Sequence, residues 1–296
     1  MVDVLFLGTG ASVPSRDRSL PCIAVKLKRD IILFDCGEGS QRQLMVSPFS
    51  FMKIKAIFIS HMHGDHFLGL PGLLQTMSMS GRKDDIILAG PKGFGDSLRS
   101  VIKACGGDIA YGLDIVDASD GDTFVFKEFM VRAFSVSHNI PSLGFMFEEN
   151  ERIGKFNRSR AESMGLIPGP DFTRLQKGET VKGVRPGDVI GPPRRGRRIV
   201  YSGDTAQCGR ISEMARGAEV LIHEATYSSK DADLALEHKH STSVDAASAA
   251  RDANVSVLFV THMSNRYDDL SLIENECREI FPNTVVARDL MLFSVR

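Results

Sequence analysis

Three of the chain's eight histidines, together with an aspartate, fall between His61 and His66 in the string Ser60-His61-Met62-His63-Gly64-Asp65-His66. Just before it, Lys55-Ala56-Ile57-Phe58-Ile59 is β-branched and aromatic enough to read as a buried strand. Just after it, Phe67 to Leu74 reads as a turn feeding a helix. The cluster therefore sits on a loop at the C-terminal end of a strand, where α/β folds place their chemistry. Imidazole nitrogens and a carboxylate suit zinc and similar first-row metals. The alternative is a polar loop whose histidines face water, which leaves the bunching of three out of eight unexplained.

Other strand patterns end in the same kinds of residue. The alternating run 123–136 leads to His138, the run 198–202 to Asp204, and 257–261 to His262. Each alone is an ordinary polar residue, but strand ends from two sheets can converge at one edge and share one site. Further strands are expected over 2–7, 22–28, 31–35, 86–89, 143–147, 220–224, 284–287 and 291–295. Helices are expected over 37–46, 70–80, 95–104, 244–251 and 270–280, with a shorter one near 157–164. Leu73, Leu74, Met77 and Met79 form an apolar stripe that reads as core. Gly8-Thr9-Gly10 reads as a tight turn, and Gly90 to Gly95 matches no dinucleotide fingerprint. Two sheets packed face to face with helices outside fit this α/β mixture, and periodicity equally permits one doubly wound sheet.

The 296 residues, 43% hydrophobic and 25% charged, suit one large globular domain over 1–296. No apolar run approaches a membrane span, and Val2 to Leu7 does not start like a signal peptide. Five scattered cysteines form neither a zinc ribbon nor a disulfide framework, so a cytoplasmic protein with reduced thiols is expected. The formal net charge of −1 hides an asymmetry: between Glu151 and Arg198 there are 12 Lys and Arg against 5 Asp and Glu, a net of +7. That Gly- and Pro-rich stretch, about 150–196, reads as an inserted basic arm for a polyanion, or alternatively as a solvated linker.

His61-x-His63-x-Asp65-His66 resembles the signature of the metallo-β-lactamase superfamily. With Gly69-Leu70-Pro71-Gly72-Leu73-Leu74 added, the string is similar to the ribonuclease Z family, endonucleases that trim the 3′ end of precursor tRNA. The resemblance implies a four-layer αββα sandwich with an inserted flexible arm. It implies two Zn2+ per chain, one on His61, His63 and His138, the other on Asp65, His66 and His262, with Asp204 bridging. A homodimer is implied as well. Members that open β-lactams use a late cysteine ligand; here Asp204 stands at the strand end, Cys208 at a helix start and Cys277 inside a helix. Thioester hydrolases of the superfamily share the ligand set, so the ligands alone imply a two-metal hydrolase.

Three further features resemble the ribonuclease Z family. His223-Glu224-Ala225-Thr226 and His240-Ser241-Thr242 imply a Glu224–His240 pair. A carboxylate beside an imidazole raises its pKa and fixes its tautomer, which makes a general acid usable near neutrality. A helix cap or salt bridge is the other reading of Glu224, and His238 lies close enough to His240 to compete with it. Gly165 to Pro170, Leu175 to Val181 and Pro192 to Arg198 look like the family's tRNA-gripping arm. Pro14 to Ser19 is similar to the loop that senses the tRNA 3′ end, with Arg16 in place of Lys and Ser19 in place of Asn. The similarity runs from Leu7-Gly8-Thr9-Gly10 to His262-x-Ser264-x-Arg266-Tyr267. The expected activity is zinc-dependent removal of 3′ trailers from precursor tRNA, leaving a 3′-hydroxyl on the tRNA and a 5′-phosphate on the trailer. Asp65 would orient the nucleophile or take its proton, and His240 would protonate the leaving oxygen. The rivals are a general phosphodiesterase or small-ester hydrolase on the same scaffold, and an RNA-binding protein with structural metals.

Overall fold

Along β1 (Val2–Gly8), Val2, Val4 and Phe6 enter one apolar cluster while Leu5 and Leu7 enter another. Side chains alternate across a strand, so a run this apolar must be buried on both faces. The same division recurs in β2 (Cys22–Leu27), β3 (Asp30–Phe34), β4 (Ile54–Phe58), β5 (Ile86–Gly90) and β6 (Leu113–Asp117). In the computed structural model, which describes residues 1–106 and 108–296, these strands form one seven-stranded sheet in the order β14-β1-β2-β3-β4-β5-β6, closed by β14 (Leu292–Val295). The second seven-stranded sheet takes β7 (Thr123–Val125), β8 (Phe129–Ser135), β9 (Leu143–Glu149), β10 (Arg198–Tyr201), β11 (Val220–Glu224), β12 (Val257–Thr261) and β13 (Thr284–Val286) in reverse order.

Between the sheets lies the largest cluster, including Phe34, Phe58, Phe145, Phe259 and Tyr201. The Phe34 ring stacks on Phe145 at 5.7 Å and on Tyr201 at 5.6 Å. The outer face of the first sheet is covered by α1 (Ser40–Val46), α3 (Gly69–Met79) and α4 (Phe94–Ala104), through Leu44, Leu73, Leu74, Met77 and Leu98. The short α2 (Gly64–Phe67) precedes α3. The result is the four-layer αββα sandwich, with the second sheet covered by helices described below. Met79 departs from the expected core stripe: it ends α3, and 81% of it is exposed.

The chain separates into two compact units, Met1–Phe147 with Arg198–Arg296, and Glu148–Arg197. The second holds α5 (Arg158–Ser163), α6 (Pro170–Gln176) and α7 (Pro186–Val189) around Ala161, Leu166, Leu175, Val181, Val184 and Val189. Only the first of these helices follows from the sequence pattern. Pro170 marks a helix start rather than a break, because the first helical position needs no N–H donor. In the first unit, α8 (Gly209–Met214), α9 (Ala232–His238), α10 (Ser243–Ala253) and α11 (Ser271–Ile280) follow. Of these, α8, α10 and α11 bury Ile211, Ala246, Ala250 and Ile273 against the second sheet. Strand β6 and helix α9 are not legible beforehand, since both are short, β6 is only half-buried and α9 is mostly exposed. The glycine-rich 90–95 stretch starts α4, where the Asp117 carboxylate accepts from Gly93 N at 2.7 Å and Gly95 N at 2.8 Å.

Candidate active site

Strands β10, β11 and β12 run parallel, as do β3 and β4, so their C-terminal ends deliver side chains to a common edge. The loop after β4 carries His61 and His63, and α2 carries Asp65 and His66. His138 follows β8, Asp204 follows β10, Glu224 ends β11 and His262 follows β12. All of these, with His240, come together within the first unit. Gly203 has φ of +61°, and a Cβ there would meet the Ser60 Cβ at 2.9 Å, so glycine is needed for Asp204 to reach the site. His262 itself holds a φ of +59°, a left-handed conformation unusual for a side-chain-bearing residue and common at functional sites.

A fully buried carboxylate, Asp35 at the end of β3, organises one side of the cluster. It accepts from Ser60 N at 2.6 Å, Ser60 Oγ at 2.9 Å, Tyr201 Oη at 2.6 Å and His66 Nδ1 at 2.7 Å. Sequence reasoning gave Asp35 no role; its one signal was an acidic residue closing an apolar strand beside the histidine loop.

The hydrogen bonds assign the histidine tautomers. Ser60 Oγ gives its proton to Asp35 and so accepts from His61 Nδ1, 2.9 Å away. His66 Nδ1 donates to Asp35, His138 Nδ1 donates to Lys239 O at 2.9 Å, and His262 Nδ1 donates to Thr226 Oγ1 at 2.8 Å. Each of these four rings therefore turns Nε2 inward. His61 Nε2 stands 2.9 Å from His63 Nδ1, which is 3.4 Å from His138 Nε2. Burial holds the pKa values of His61, His63 and His138 below the ordinary histidine value, so the three rings stay neutral, and His61 Nε2 and His138 Nε2 present lone pairs to His63 Nδ1. A neutral His63 has one ring proton and satisfies at most one of those two lone pairs, whereas a cation among the three nitrogens would engage all of them.

On the other side, Asp204 Oδ2 lies 3.3 Å from both His66 Nε2 and His262 Nε2 and 3.6 Å from His61 Nε2. Asp65 Oδ2 is 3.5 Å from the same two Nε2 atoms of His66 and His262. Burial opposes the charge on Asp204, but His262 and His66 outweigh it and keep the carboxyl ionised. Its Oδ1 is buried without a hydrogen-bond partner. His66 is pulled the other way: burial lowers its pKa, and Asp204 and Asp35 more than reverse that. A proton on His66 thus stands where a cation would otherwise neutralise two carboxylates. An orphaned carboxylate oxygen and three converging imidazole nitrogens fit a metal site.

Beside this cluster, Glu224 accepts from Thr205 N at 2.7 Å and from His240 Nδ1 at 2.8 Å, with Thr226 Oγ1 on its other oxygen. Burial works against a charged His240, but Glu224 and then Asp204 outweigh it and raise its pKa to about 9. His240 Nδ1 is 4.0 Å from Asp204 Oδ2. Its place is fixed locally: His240 N donates to Ala235 O at 2.9 Å and Ser241 Oγ to Thr205 O at 2.6 Å, before a Thr242–Asp245 capping box starts α10. The neighbouring His238 does not touch Glu224; its Nδ1 meets Tyr227 Oη at 2.8 Å. His223 is buried with its Nδ1 on Glu224 O, away from the others. His63, Asp65, His138, Asp204 and His240 line an open cleft of about 550 Å³.

Two packed sheets with a histidine–aspartate cluster at the strand ends define a metallo-hydrolase, and residues 31–155 and 171–263 match the beta-lactamase superfamily domain. The chain is 45% identical to ribonuclease Z of Methanosarcina mazei over 100% of its own length and 98% of the relative's. It is 41% identical to ribonuclease Z of Archaeoglobus fulgidus, covering 99% and 97%. The crystal structure of human tRNase Z, short form, superposes with a TM-score of 0.73 at 29% identity over 99% of both chains. This chain belongs to the ribonuclease Z family.

Proposed function

We infer that this chain is a metal-dependent endoribonuclease that removes 3′ trailers from precursor tRNA. The observation that carries the reading is the juxtaposition of the imidazole and carboxylate cluster with a proton-holding His240, both open to one cleft. The ligand sets that suit two zinc ions are His61, His63 and His138 for one and Asp65, His66 and His262 for the other, with Asp204 shared. When bound, such ions lower the pKa of water and neutralise charge on both sides of an in-line phosphoryl displacement.

The chain's own groups supply the rest. Asp65, held ionised by His262 and His66 against its burial and anchored by Ser12 N at 2.9 Å, orients the attacking water and takes its proton. Because Nδ1 of His240 is held by Glu224, its Nε2–H is left to donate. The bond from phosphorus to the 3′ oxygen breaks, that oxygen takes the His240 proton, and the products are a tRNA 3′-hydroxyl and a trailer 5′-phosphate. Such a donor suits a sugar alkoxide, a poor leaving group.

The 150–196 arm is the proposed grip on the tRNA. Several of its cations are tied to its own carboxylates: Arg158 to Glu162, Arg174 to Glu179, Lys182 to Asp171 and Arg185 to Asp188. Lys155, Arg160, Lys177, Arg194 and Arg195 have no carboxylate partner among the described residues and are the ones left for phosphate. No described helix is long and apolar enough to cross a membrane, and a cytoplasmic homodimer is part of the reading.

The test is a trailer-bearing tRNA transcript incubated with and without chelator. Cleavage at the trailer junction that chelator abolishes and added zinc restores is expected. Hydrolysis of a chromogenic phosphodiester with no cut in the transcript overturns the reading in favour of a general phosphodiesterase.

A further inference from the structure

The turn from Met263 to Tyr267 is tied down at nearly every position. Met263 N donates to Thr9 O, and Ala11 N to Met263 O. Asn265 Nδ2 donates to Val13 O at 2.7 Å, Ser264 Oγ accepts from Arg266 N, and Tyr267 Oη bonds both Ser228 N and Asp231. Its one charged side chain is the exception: the Arg266 guanidinium has no hydrogen-bond or ion-pair partner among the described residues, yet lines the catalytic cleft. It lies 6.0 Å over the ring of Tyr227, a cation–π contact that orients it without neutralising it. On Tyr227's other flank the phenol fixes His238, whose ring is exposed and stacked at 6.1 Å and 27°. Tyr227 is also 6.1 Å from the His240 ring. A prearranged turn that presents an unpaired cation, beside a pinned and exposed aromatic ring, is what one nucleotide of single-stranded RNA needs: charge for its phosphate and a face for its base.

We propose that Arg266, Tyr227 and His238 form the subsite for the last nucleotide that stays on the tRNA. Arg266 pairs with the phosphate on its 5′ side and His238 stacks on its base. The side of the cut follows from the acid: His240 protonates the 3′ oxygen of that nucleotide, so its ribose lies against His240, and Tyr227 joins His240 to the ledge. The assignment rests on the endoribonuclease reading above and adds to it which residues seat which nucleotide.

The experiment measures kcat/KM for transcripts in which one phosphate at a time is a neutral methylphosphonate, with wild-type chain, Arg266→Gln, His238→Ala and, as a surface control, the exposed Leu236→Ala. Cleavage of the unmodified transcript by the wild type tests the underlying reading before any variant is compared. Arg266→Gln is expected to lower kcat/KM roughly ten- to hundredfold, as loss of a charge-assisted bond does. A methylphosphonate 5′ of the last retained nucleotide should cost the wild type a similar factor and the variant little further. An abasic last nucleotide should cost the wild type roughly five- to hundredfold and His238→Ala little more. Losses that multiply independently, or coupling of Arg266 to a trailer-side phosphate instead, overturn the subsite while leaving the cleavage reading intact.

Discussion

Replacing Glu224 by glutamine removes a charge and keeps its shape, and its effect on rate should depend on pH. In the present site His240 is raised from 6.5 to about 9, with Glu224 the foremost cause once burial is overcome. That gap of about 2.5 units corresponds to about 3 kcal/mol between the protonated and neutral imidazole. Without Glu224, His240 returns toward 6.5. At pH 8 a donor with a pKa of 9 is ~90% protonated and one of 6.5 only ~3%, so the chemical step should fall roughly 30-fold; at pH 6 the loss should be under about 2-fold. The sign is fixed by which form works: the donor must carry the proton, so the variant's deficit grows as pH rises between the two values and closes as it falls. Dications held at Asp204 would lower both values together, so in metal-replete protein the same ~30-fold and ~2-fold points would fall at correspondingly lower pH, the gap between the two proteins being unchanged. Single-turnover cleavage of a precursor tRNA across this range, with both proteins metal-replete, measures it. A phosphodiester with a nitrophenol leaving group needs no proton and should show little of the deficit. A loss independent of pH, or an equal loss on the nitrophenyl substrate, refutes Glu224 and His240 as a proton-donating pair.

Replacing 152–196 by a short Gly/Ser linker should leave metal binding intact, since none of His61, His63, Asp65, His66, His138, Asp204 and His262 lies there; with five cations free for phosphate, the slope of log affinity against log salt should drop by about 3.5–4.5. Unchanged slope in a filter-binding titration would assign the RNA grip to the sandwich. Asp35→Asn should weaken metal affinity roughly 10–100-fold, read by competition with a chromophoric chelator, because Asp35 fixes both the His66 tautomer and Ser60. His240→Ala and the Glu224→Ala, His240→Ala double variant should lose a similar ~10²–10⁴ in turnover, the mark of groups that act as a unit. Gly203→Ala should destabilise the fold by about 1–3 kcal/mol in a denaturant titration, from its left-handed φ and the clash with Ser60.

Much of this protein is local in origin. Continuous apolar runs fix which strands are buried on both faces, and polar residues that follow four strand patterns mark His61, His138, Asp204 and His262 as a set that one sheet edge can gather. The arm's charge is equally a property of a contiguous stretch. What pairs with what is a different matter, because hydrogen-bond direction depends on neighbours far away in the chain. Asp35 becomes the shared acceptor only when β3 and β4 lie side by side and Tyr201 reaches across the core. His240 rather than His238 meets Glu224 because α9 ends between them, with Lys239 in a left-handed conformation at its C-terminus, turning one ring to the carboxylate and the other to Tyr227. Which of the arm's cations are tied to its own carboxylates, and which are left for phosphate, is decided by its fold and not by composition. The lone pairs that His61 and His138 turn inward depend on partners that accept from their outer N–H groups, and those partners — Ser60 beside His61, Lys239 a hundred residues from His138 — are set by tertiary contact.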